Sequence, residues 1–259
     1  MILSQINFCQ ERGNRIKLKV EHLKQNYEGM PIVDDISFHL NKNEFVTLIG
    51  PSGCGKSTIF NIIAGIVPLD EGKVFIDGKD YTGEPGHVSY MYQKDLLLPW
   101  KKVIDNTALP LIIKGEKLKE AREKVIPYLK LFGLEGFEYK YPFQLSGGMR
   151  QRAALLRTYM FSRDIVLLDE PFGGLDAITR LRMQAWLLQV IGKINTSVLF
   201  ITHDIEEAAF LSDRIYVLSP RPAKIREEVP ISLPKPRERE MVTSPKFNKI
   251  KKQILFNLS

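Results

Sequence analysis

The stretch FVTLIGPSGCGKS, residues 45–57, decides the fold class of this chain. It begins with a continuous apolar run, which is typical of a buried parallel strand. The remainder matches the phosphate-binding pattern G-x-x-x-x-G-K-[ST], whose glycines let the backbone wrap a polyphosphate. In such a loop Lys56 neutralises the β- and γ-phosphates, and the Ser57 hydroxyl binds Mg²⁺. The sequence therefore predicts a strand, a phosphate loop and a helix over residues 57–65.

Further strands are predicted on both sides of this loop. Alternating apolar residues over 16–20 and 88–92 predict half-buried strands. Residues 74–76, followed by Asp77 and Gly78, predict a hairpin. Later buried strands are predicted at residues 165–168, 198–201 and 215–218. Helical patterns alternate with these later runs, so the order predicts a parallel-sheet α/β core with some antiparallel strands.

Helices are predicted between and after these strands. Residues 94–163 form a helical insert, in which residues 118–132 keep a helical spacing and Pro127 is expected to end or kink the helix. A later helix has its apolar positions at Ile178, Leu181, Ala185 and Leu188. Residues 244–258 predict a basic amphipathic helix. We expect that helix to pack on the body of the protein, the alternative being a membrane surface or a partner.

Composition indicates a soluble globular protein in a reducing cytoplasm. The chain has 259 residues, 44% hydrophobic and 26% charged. Its apolar runs are shorter than the roughly 18 residues of a membrane span. From the pattern of its first residues we do not expect export. Cys9 and Cys54 form neither a disulfide framework nor a metal cluster. The net charge of +7 suits nucleic acid, anionic lipid or a phosphate-rich ligand, or else a solvated lysine-rich surface.

Polar side chains follow three of the predicted strands. IVLLDE, residues 165–170, ends in two acids at the carboxyl edge of the sheet, where ligands bind. Asp169 is expected to hold Mg²⁺, and Glu170 to orient or deprotonate an attacking water. His203 reaches the same edge and is expected to contact the γ-phosphate. Gln93, at the start of the helical insert, is expected to contact Mg²⁺ or the attacking water.

A second anion site is predicted at LSGG, residues 145–148. Ser146 is a good N-cap, and the bare backbone of Gly147 and Gly148 opens a helix whose N–H groups and dipole attract an anion. Tyr27, ahead of a glycine, is a candidate to stack on a nucleobase. The sequence thus predicts a second anion site in a chain that has one phosphate loop. The loop does not indicate which anion this second site binds.

Taken in order, these motifs resemble the ATPase subunit of ABC transporters. The resemblance implies a P-loop (RecA-like) α/β core with an antiparallel β subdomain and an α-helical subdomain. It also implies that two copies enclose ATP and Mg²⁺ head to tail, with Ser146, Gly147 and Gly148 acting on the ATP of the other copy. Asp176 would then lie at the dimer interface, and Tyr27 on adenine. The residues expected to bind ATP from the chain's own loop are Gly50, Pro51, Ser52, Gly53, Cys54, Gly55, Lys56, Ser57 and Thr58.

A finer resemblance is carried by QKDLLLPW at 93–100, YPFQLSGG at 141–148, DEPFGGLDAITR at 169–180 and SPRP at 219–222. These look like the nitrate, sulfonate and taurine importer subfamily, which includes carriers of thiamine precursors. That subfamily implies a separate permease docked in a groove at Leu96 to Trp100. In the alternative interpretation, Leu97, Leu98 and Trp100 are simple core residues. It further implies an extracytoplasmic solute-binding protein as an indirect partner, a peripheral location on the cytoplasmic face of the membrane and no nucleic acid.

The resemblance implies a single cassette over residues 1–259. Its parts are 16–93 (β subdomain and first part of the core), 94–163 (helical subdomain), 164–220 (second part of the core) and 221–259 (extension). The alternatives are a soluble ABC ATPase of DNA repair or translation and a cytosolic scaffold ATPase. A P-loop kinase is a further alternative, but it needs neither LSGG nor His203.

Overall fold

The computed structural model describes residues 15–162 and 164–258. Our expectations for the N-terminus, Cys9, the boundary at Arg163 and the last residue, Ser259, lie outside these ranges. Within them the strands are β1 (Ile16–Tyr27), β2 (Met30–Asn41), β3 (Phe45–Ile49), β4 (Glu71–Ile76), β5 (Lys79–Asp80), β6 (Ser89–Met91), β7 (Ile165–Asp169), β8 (Ser197–Thr202), β9 (Arg214–Leu218) and β10 (Ile225–Pro230). The helices are α1 (Lys56–Ile63), α2 (Val103–Ile113), α3 (Leu118–Leu131), α4 (Gly147–Phe161), α5 (Ala177–Ile194), α6 (Ile205–Leu211) and α7 (Pro245–Leu258).

The larger sheet has the strand order β10-β9-β3-β8-β7-β6. Its strands run parallel from β9 to β6, and β10 pairs antiparallel at the edge. Both faces are covered: in β3, Phe45 and Ile49 join the core on one side, and Val46 and Leu48 join the core on the other. This explains the unbroken apolar run in the sequence, because a strand buried on both faces has no polar side. The predicted parallel strands are confirmed.

A second sheet, ordered β2-β1-β4-β5, is antiparallel. It covers one face of the larger sheet together with α1, and Leu18, Phe38 and Phe60 lie in their shared core. The predicted hairpin is confirmed: Ile76 pairs with Lys79 across the Asp77-Gly78 turn. The opposite face of the larger sheet shares a hydrophobic core with α2 to α7.

The helical prediction for residues 118–132 is confirmed. Of the two alternatives given for Pro127, ending the helix is wrong, because α3 runs on to Leu131 with the proline inside it. The buried face of α3 consists of Ala121, Val125 and Leu129, which lie on both sides of the proline. Burying these side chains favours one continuous helix and outweighs the single backbone hydrogen bond that proline removes.

Helix α5 is confirmed, and only some of its predicted apolar positions face the core. Met183, Leu187 and Val190 face the core, whereas Ile178 and Leu181 are exposed. The apolar positions at the start of α5 therefore lie on its outer face, and a neighbouring face of the helix is buried in the core.

The C-terminal helix α7 packs on the body, as expected. Ser244 caps it by accepting a hydrogen bond from the Phe247 N–H at 3.2 Å. Phe247, Ile250 and Ile254 are buried in the core that lies against α6 and β9. In the described part of the chain, no helix is both long enough and apolar enough to cross a membrane.

Candidate functional site

The phosphate loop lies between β3 and α1, as the sequence predicted. Gly55 begins α1 with φ 120°, a conformation that favours glycine. A Cβ there would meet the Ile32 carbonyl oxygen at 3.2 Å, so the loop is packed tightly against β2. The Lys56 side chain is almost fully buried, and its Nζ donates to the carbonyl oxygens of Gly50 at 2.8 Å and Pro51 at 2.9 Å. The lysine ammonium is thus held inside the loop that the sequence assigned to phosphate.

Residues from other segments close around this loop. A Cβ on Gly50 would meet the Leu218 Cβ at 3.0 Å, because β9 ends beside β3. Just beyond β9, the Arg221 guanidinium donates to the Gly53 carbonyl oxygen at 2.6 and 3.1 Å. Arg221 also approaches the Met30 sulfur at 3.8 Å. Met30 pairs with Tyr27, which is 43% exposed, so Arg221 connects the predicted base-stacking hairpin to the phosphate loop.

Asp169 lies at the end of β7, buried next to the phosphate loop. Its carboxylate accepts a hydrogen bond from the Tyr90 hydroxyl at 3.2 Å, and the Ser57 side chain lies close to it. Burial raises the pKa of Asp169, and the Ser57 and Tyr90 side chains oppose that shift. Burial and the nearby Asp169 also raise the pKa of Tyr90, so its hydroxyl stays protonated as a donor.

Glu170 joins the other two predicted catalytic residues. Gln93 Nε2 donates to Glu170 Oε2 at 3.4 Å, and His203 Nδ1 lies 3.0 Å from Glu170 Oε1. The three residues follow β6, β7 and β8, which are neighbours in the sheet, so their carboxyl ends meet at one edge. Glu170 has φ 43°, an uncommon conformation for a residue with a side chain, and its N–H donates to the Ile201 carbonyl oxygen at 3.0 Å. Such backbone outliers concentrate at functional sites.

The side-chain oxygen atoms at this edge of the sheet are suitable ligands for Mg²⁺. Ser57, Asp169 and Gln93 supply hydroxyl, carboxylate and amide oxygens, which Mg²⁺ prefers over nitrogen or sulfur. The Ser57 side chain lies close enough to the Asp169 carboxylate to lower its pKa, so the two predicted ligands are neighbours in the folded chain. Gln93 contacts the adjacent acid, Glu170, at the same edge.

The LSGG segment forms the expected helix start. Ser146 is exposed and caps α4 by accepting from the Met149 N–H at 3.3 Å. Asp176 caps α5 in the same way, accepting from the Thr179 N–H at 3.0 Å. The Thr179 side chain, and after it this N–H, lower the pKa of Asp176. The two starts pack together: a Cβ on Gly147 would meet Leu175 Cδ2 at 3.2 Å, and one on Gly148 would meet Thr179 Cγ2 at 3.3 Å. The helix starts that carry Ser146 and Asp176 therefore lie side by side, with Gly148 buried between α4 and α5.

The loop after Gln93 is tied to the LSGG helix. Arg157 of α4 donates to the carbonyl oxygens of Asp95 at 2.6 Å and Leu96 at 2.7 Å, and Arg150 donates to the Asp95 carboxylate at 3.2 Å. In this loop Leu97 is buried, Leu96 is 52% exposed and Trp100 is 71% exposed. Leu97 is thus a core residue, as the alternative interpretation held, whereas Trp100 is not.

Two residues of this site were missed in the sequence. Tyr90 was noted only for its place in an alternating strand, and Arg221 only as part of the SPRP motif. Arg221 carries a signal that was available: it directly follows a predicted parallel strand, at the sheet edge where ligands bind. Tyr90 carries no such signal, because its hydroxyl meets Asp169 through the pairing of β6 with β7.

Comparisons with known proteins agree with this geometry. The sequence profile of the ABC transporter family matches residues 33–173. An aliphatic sulfonates import ATP-binding protein of Bacillus cereus is 42% identical over 235 residues, covering 91% of each chain. A taurine import ATP-binding protein of Escherichia coli is 39% identical over 243 residues, covering 92% of this chain and 95% of the relative.

A solved structure is similar over most of the chain. It is described as a dimeric post-hydrolysis state of an ATP-binding cassette bound to ADP and Pi. It is 28% identical, covers 83% of this chain and 99% of its own, and superposes with a TM-score of 0.70. From the phosphate loop, the acidic strand end and these matches, we conclude that the chain belongs to the ABC transporter family.

Proposed function

We propose that this chain is the ATP-hydrolysing subunit of an ABC importer. The observation that carries the proposal is the arrangement of Glu170 between Gln93 and His203, beside Asp169 and the phosphate loop. This arrangement supplies, in one chain, a cradle for phosphates and an acid to act on water. The relatives named as import ATP-binding proteins favour an importer over a scaffold, repair or translation ATPase.

In this proposal the residues act as follows. Lys56 and the loop N–H groups bind the β- and γ-phosphates, and Tyr27 stacks on the base. Ser57, Asp169 and Gln93 would hold Mg²⁺, which when bound neutralises charge on the phosphates. Glu170 orients the attacking water and takes up its proton as the water oxygen bonds to the γ-phosphorus and the bond to the ADP oxygen breaks. His203 fixes Glu170 and contacts the γ-phosphate.

A second copy of the chain is the proposed first partner. Ser146 is exposed and its oxygens bond within its own helix, to the N–H groups of Met149 and Arg150, so the LSGG surface is open to a ligand from outside. The dimeric cassette with bound ADP and Pi supports the proposal that Ser146, Gly147, Gly148 and Asp176 complete the site of the other copy. Closure and reopening of the dimer would then follow ATP binding and hydrolysis, as a shift between two states with different ATP affinity.

A permease is the proposed second partner, docked at Leu96 and Trp100. Both side chains are exposed, and aromatic anchors of this kind are typical of interfaces. Arg150 and Arg157 connect this loop to the LSGG helix, so movement at the dimer surface would reach the permease. We place the chain on the cytoplasmic face of the membrane, with an extracytoplasmic solute-binding protein as an indirect partner. The solute class that the two relatives favour is a sulfonate such as taurine.

Glu170→Gln in the full chain tests the proposal. Steady-state phosphate release should fall about 100-fold or more, because the carboxylate that accepts the proton is gone. ATP binding should persist, and ATP should trap a dimer that size-exclusion chromatography resolves. Glu123→Gln, the same change on the exposed face of α3, should hydrolyse ATP at the parent rate. Undiminished phosphate release in Glu170→Gln would contradict the assignment.

A further inference from the structure

Tyr90 is held in an unusually well-defined position beside the acidic strand end. Its ring stacks on Tyr92 with centroids 4.2 Å apart, and it meets Phe60 edge-on with centroids 5.6 Å apart. Phe60 belongs to α1, the helix that the phosphate loop opens. Because rings on two sides fix the Tyr90 ring, the direction of its hydroxyl is fixed as well, toward Asp169 Oδ2 at 3.2 Å.

The Asp169 carboxylate has side chains from two different segments beside it. The Ser57 side chain lies close to it and is itself a proposed metal ligand, whereas the Tyr90 hydroxyl donates to it and lies outside the proposed ligand set. Side chains that hydrogen-bond a metal-binding carboxylate set its orientation, and their loss typically weakens metal binding about 10- to 100-fold. Tyr90 is able to set this orientation, because its hydroxyl can stay bonded to the Asp169 carboxylate while Ser57 binds the metal.

Strand β6 contacts both acids of the site. Tyr90, in the strand, bonds Asp169, and Gln93, just beyond it, bonds Glu170. The pairing of Tyr90 with Leu167 and of Met91 with Leu168 fixes this register between β6 and β7. The hydroxyl of Tyr90 is therefore part of the frame that sets the relative positions of Asp169 and Glu170.

We propose that Tyr90 is a positioning residue, whose hydroxyl holds the Asp169 carboxylate in the orientation that Mg²⁺ requires. The inference rests on the proposed function, since it assumes that Asp169 binds the metal. This positioning role differs from a purely structural role, in which the Tyr90 ring packs in the core and its hydroxyl only gains a hydrogen-bond partner. A structural role predicts equal effects on ATP binding with and without metal, whereas a positioning role predicts an effect only with metal.

Tyr90→Phe separates these roles, because it keeps the ring and removes only the hydroxyl. We would measure ATP affinity by calorimetry in EDTA and in saturating MgCl₂, in a Glu170→Gln background that prevents turnover. The gain in ATP affinity on adding Mg²⁺ should shrink about tenfold, while affinity in EDTA stays within about twofold of the parent. Tyr92→Phe, which removes a hydroxyl from the stacked neighbour, should change neither value.

Each other outcome has a distinct meaning. A full Mg²⁺ gain in Tyr90→Phe, or an equal loss with and without Mg²⁺, would overturn the positioning role. A parent protein that shows no ATP binding or no Mg²⁺ gain would instead overturn the proposed function. Should Tyr90→Phe lower the melting temperature strongly, a double-mutant cycle decides: in an Asp169→Asn background, Tyr90→Phe should have no further effect on the Mg²⁺ gain.

Discussion

Two helices in this molecule begin with similar residues, but the surroundings of the two helix starts differ. Helix α1 opens from GPSGCG and α4 opens from LSGG, and both offer a glycine-rich backbone and a helix dipole to an anion. At α1 the chain surrounds the loop with Ile32, Leu218 and Arg221 from distant segments. At α4, Ser146 faces solvent, and the packing of Gly147 and Gly148 secures only the base of the helix against Leu175 and Thr179.

In the function that we propose, this difference assigns the two helix starts to different levels of assembly, the first to the single chain and the second to the dimer. The loop before α1 has Lys56, Asp169 and Glu170 beside it within one chain, because β3, β7 and β8 lie side by side in the sheet. The start of α4 supplies N–H groups and a hydroxyl on the surface it shares with Asp176. A self-contained site and an open half-site are what a head-to-tail dimer requires.

Ser146→Arg tests the open half-site and has the largest expected effect. The arginine side chain would fill the anion site, so ATP-stimulated dimerisation and phosphate release in the assembled transporter should fall about 100-fold or more. ATP binding to the isolated chain should stay unchanged, because its own phosphate loop is intact. Phosphate release and calorimetry measure the two properties.

Ser244→Arg is the matched control for that variant, since Ser244 caps α7 as Ser146 caps α4. It should cost about 1 kcal/mol of folding stability through the lost cap but leave hydrolysis intact. Unchanged hydrolysis in Ser146→Arg would break the comparison between the two helix starts.

Lys56→Ala tests the self-contained site. The variant loses the buried ammonium that donates to Gly50 and Pro51 and that we propose to bind phosphates. Charge-assisted hydrogen bonds contribute roughly 1.5–3 kcal/mol, so ATP affinity should fall about 10- to 100-fold. Lys79→Ala, at an exposed position in β5, should bind ATP like the parent. Equal affinities for the two variants would show that the loop does not hold phosphate through Lys56.

Arg221→Gln tests the contribution of distant segments to the same site, with the smallest expected effect. The exposed hydrogen bonds to Gly53 are lost, which at roughly 0.5–1.5 kcal/mol should weaken ATP binding about two- to tenfold, equally in EDTA and in Mg²⁺. Arg226→Gln is the control, because Arg226 likewise donates to a backbone carbonyl, that of Asn257, at 2.9 Å. Identical titrations for both variants would reduce Arg221 to a surface residue.

The errors of the sequence reasoning share one cause. Pro127 was expected to interrupt α3, and Ile178 and Leu181 were grouped on the apolar face of α5. The local spacing of apolar residues does not show which neighbouring element covers a helix. It therefore does not show that burial keeps α3 continuous through a proline, and it does not show which face of α5 is buried. Tyr90 was overlooked for the same reason, because its partner Asp169 lies 79 residues away along the chain.

By itself the sequence determined the fold class, the phosphate loop and the order of the polar strand ends. These depend on local chemistry: which residues wrap a phosphate, cap a helix or form a buried strand. Only the tertiary structure decided that Gln93 and His203 both contact Glu170, that the Tyr90 hydroxyl donates to Asp169, and that Arg221 of the SPRP motif reaches the phosphate loop. Those contacts depend on strand order and register, which long-range packing sets and local pattern does not encode.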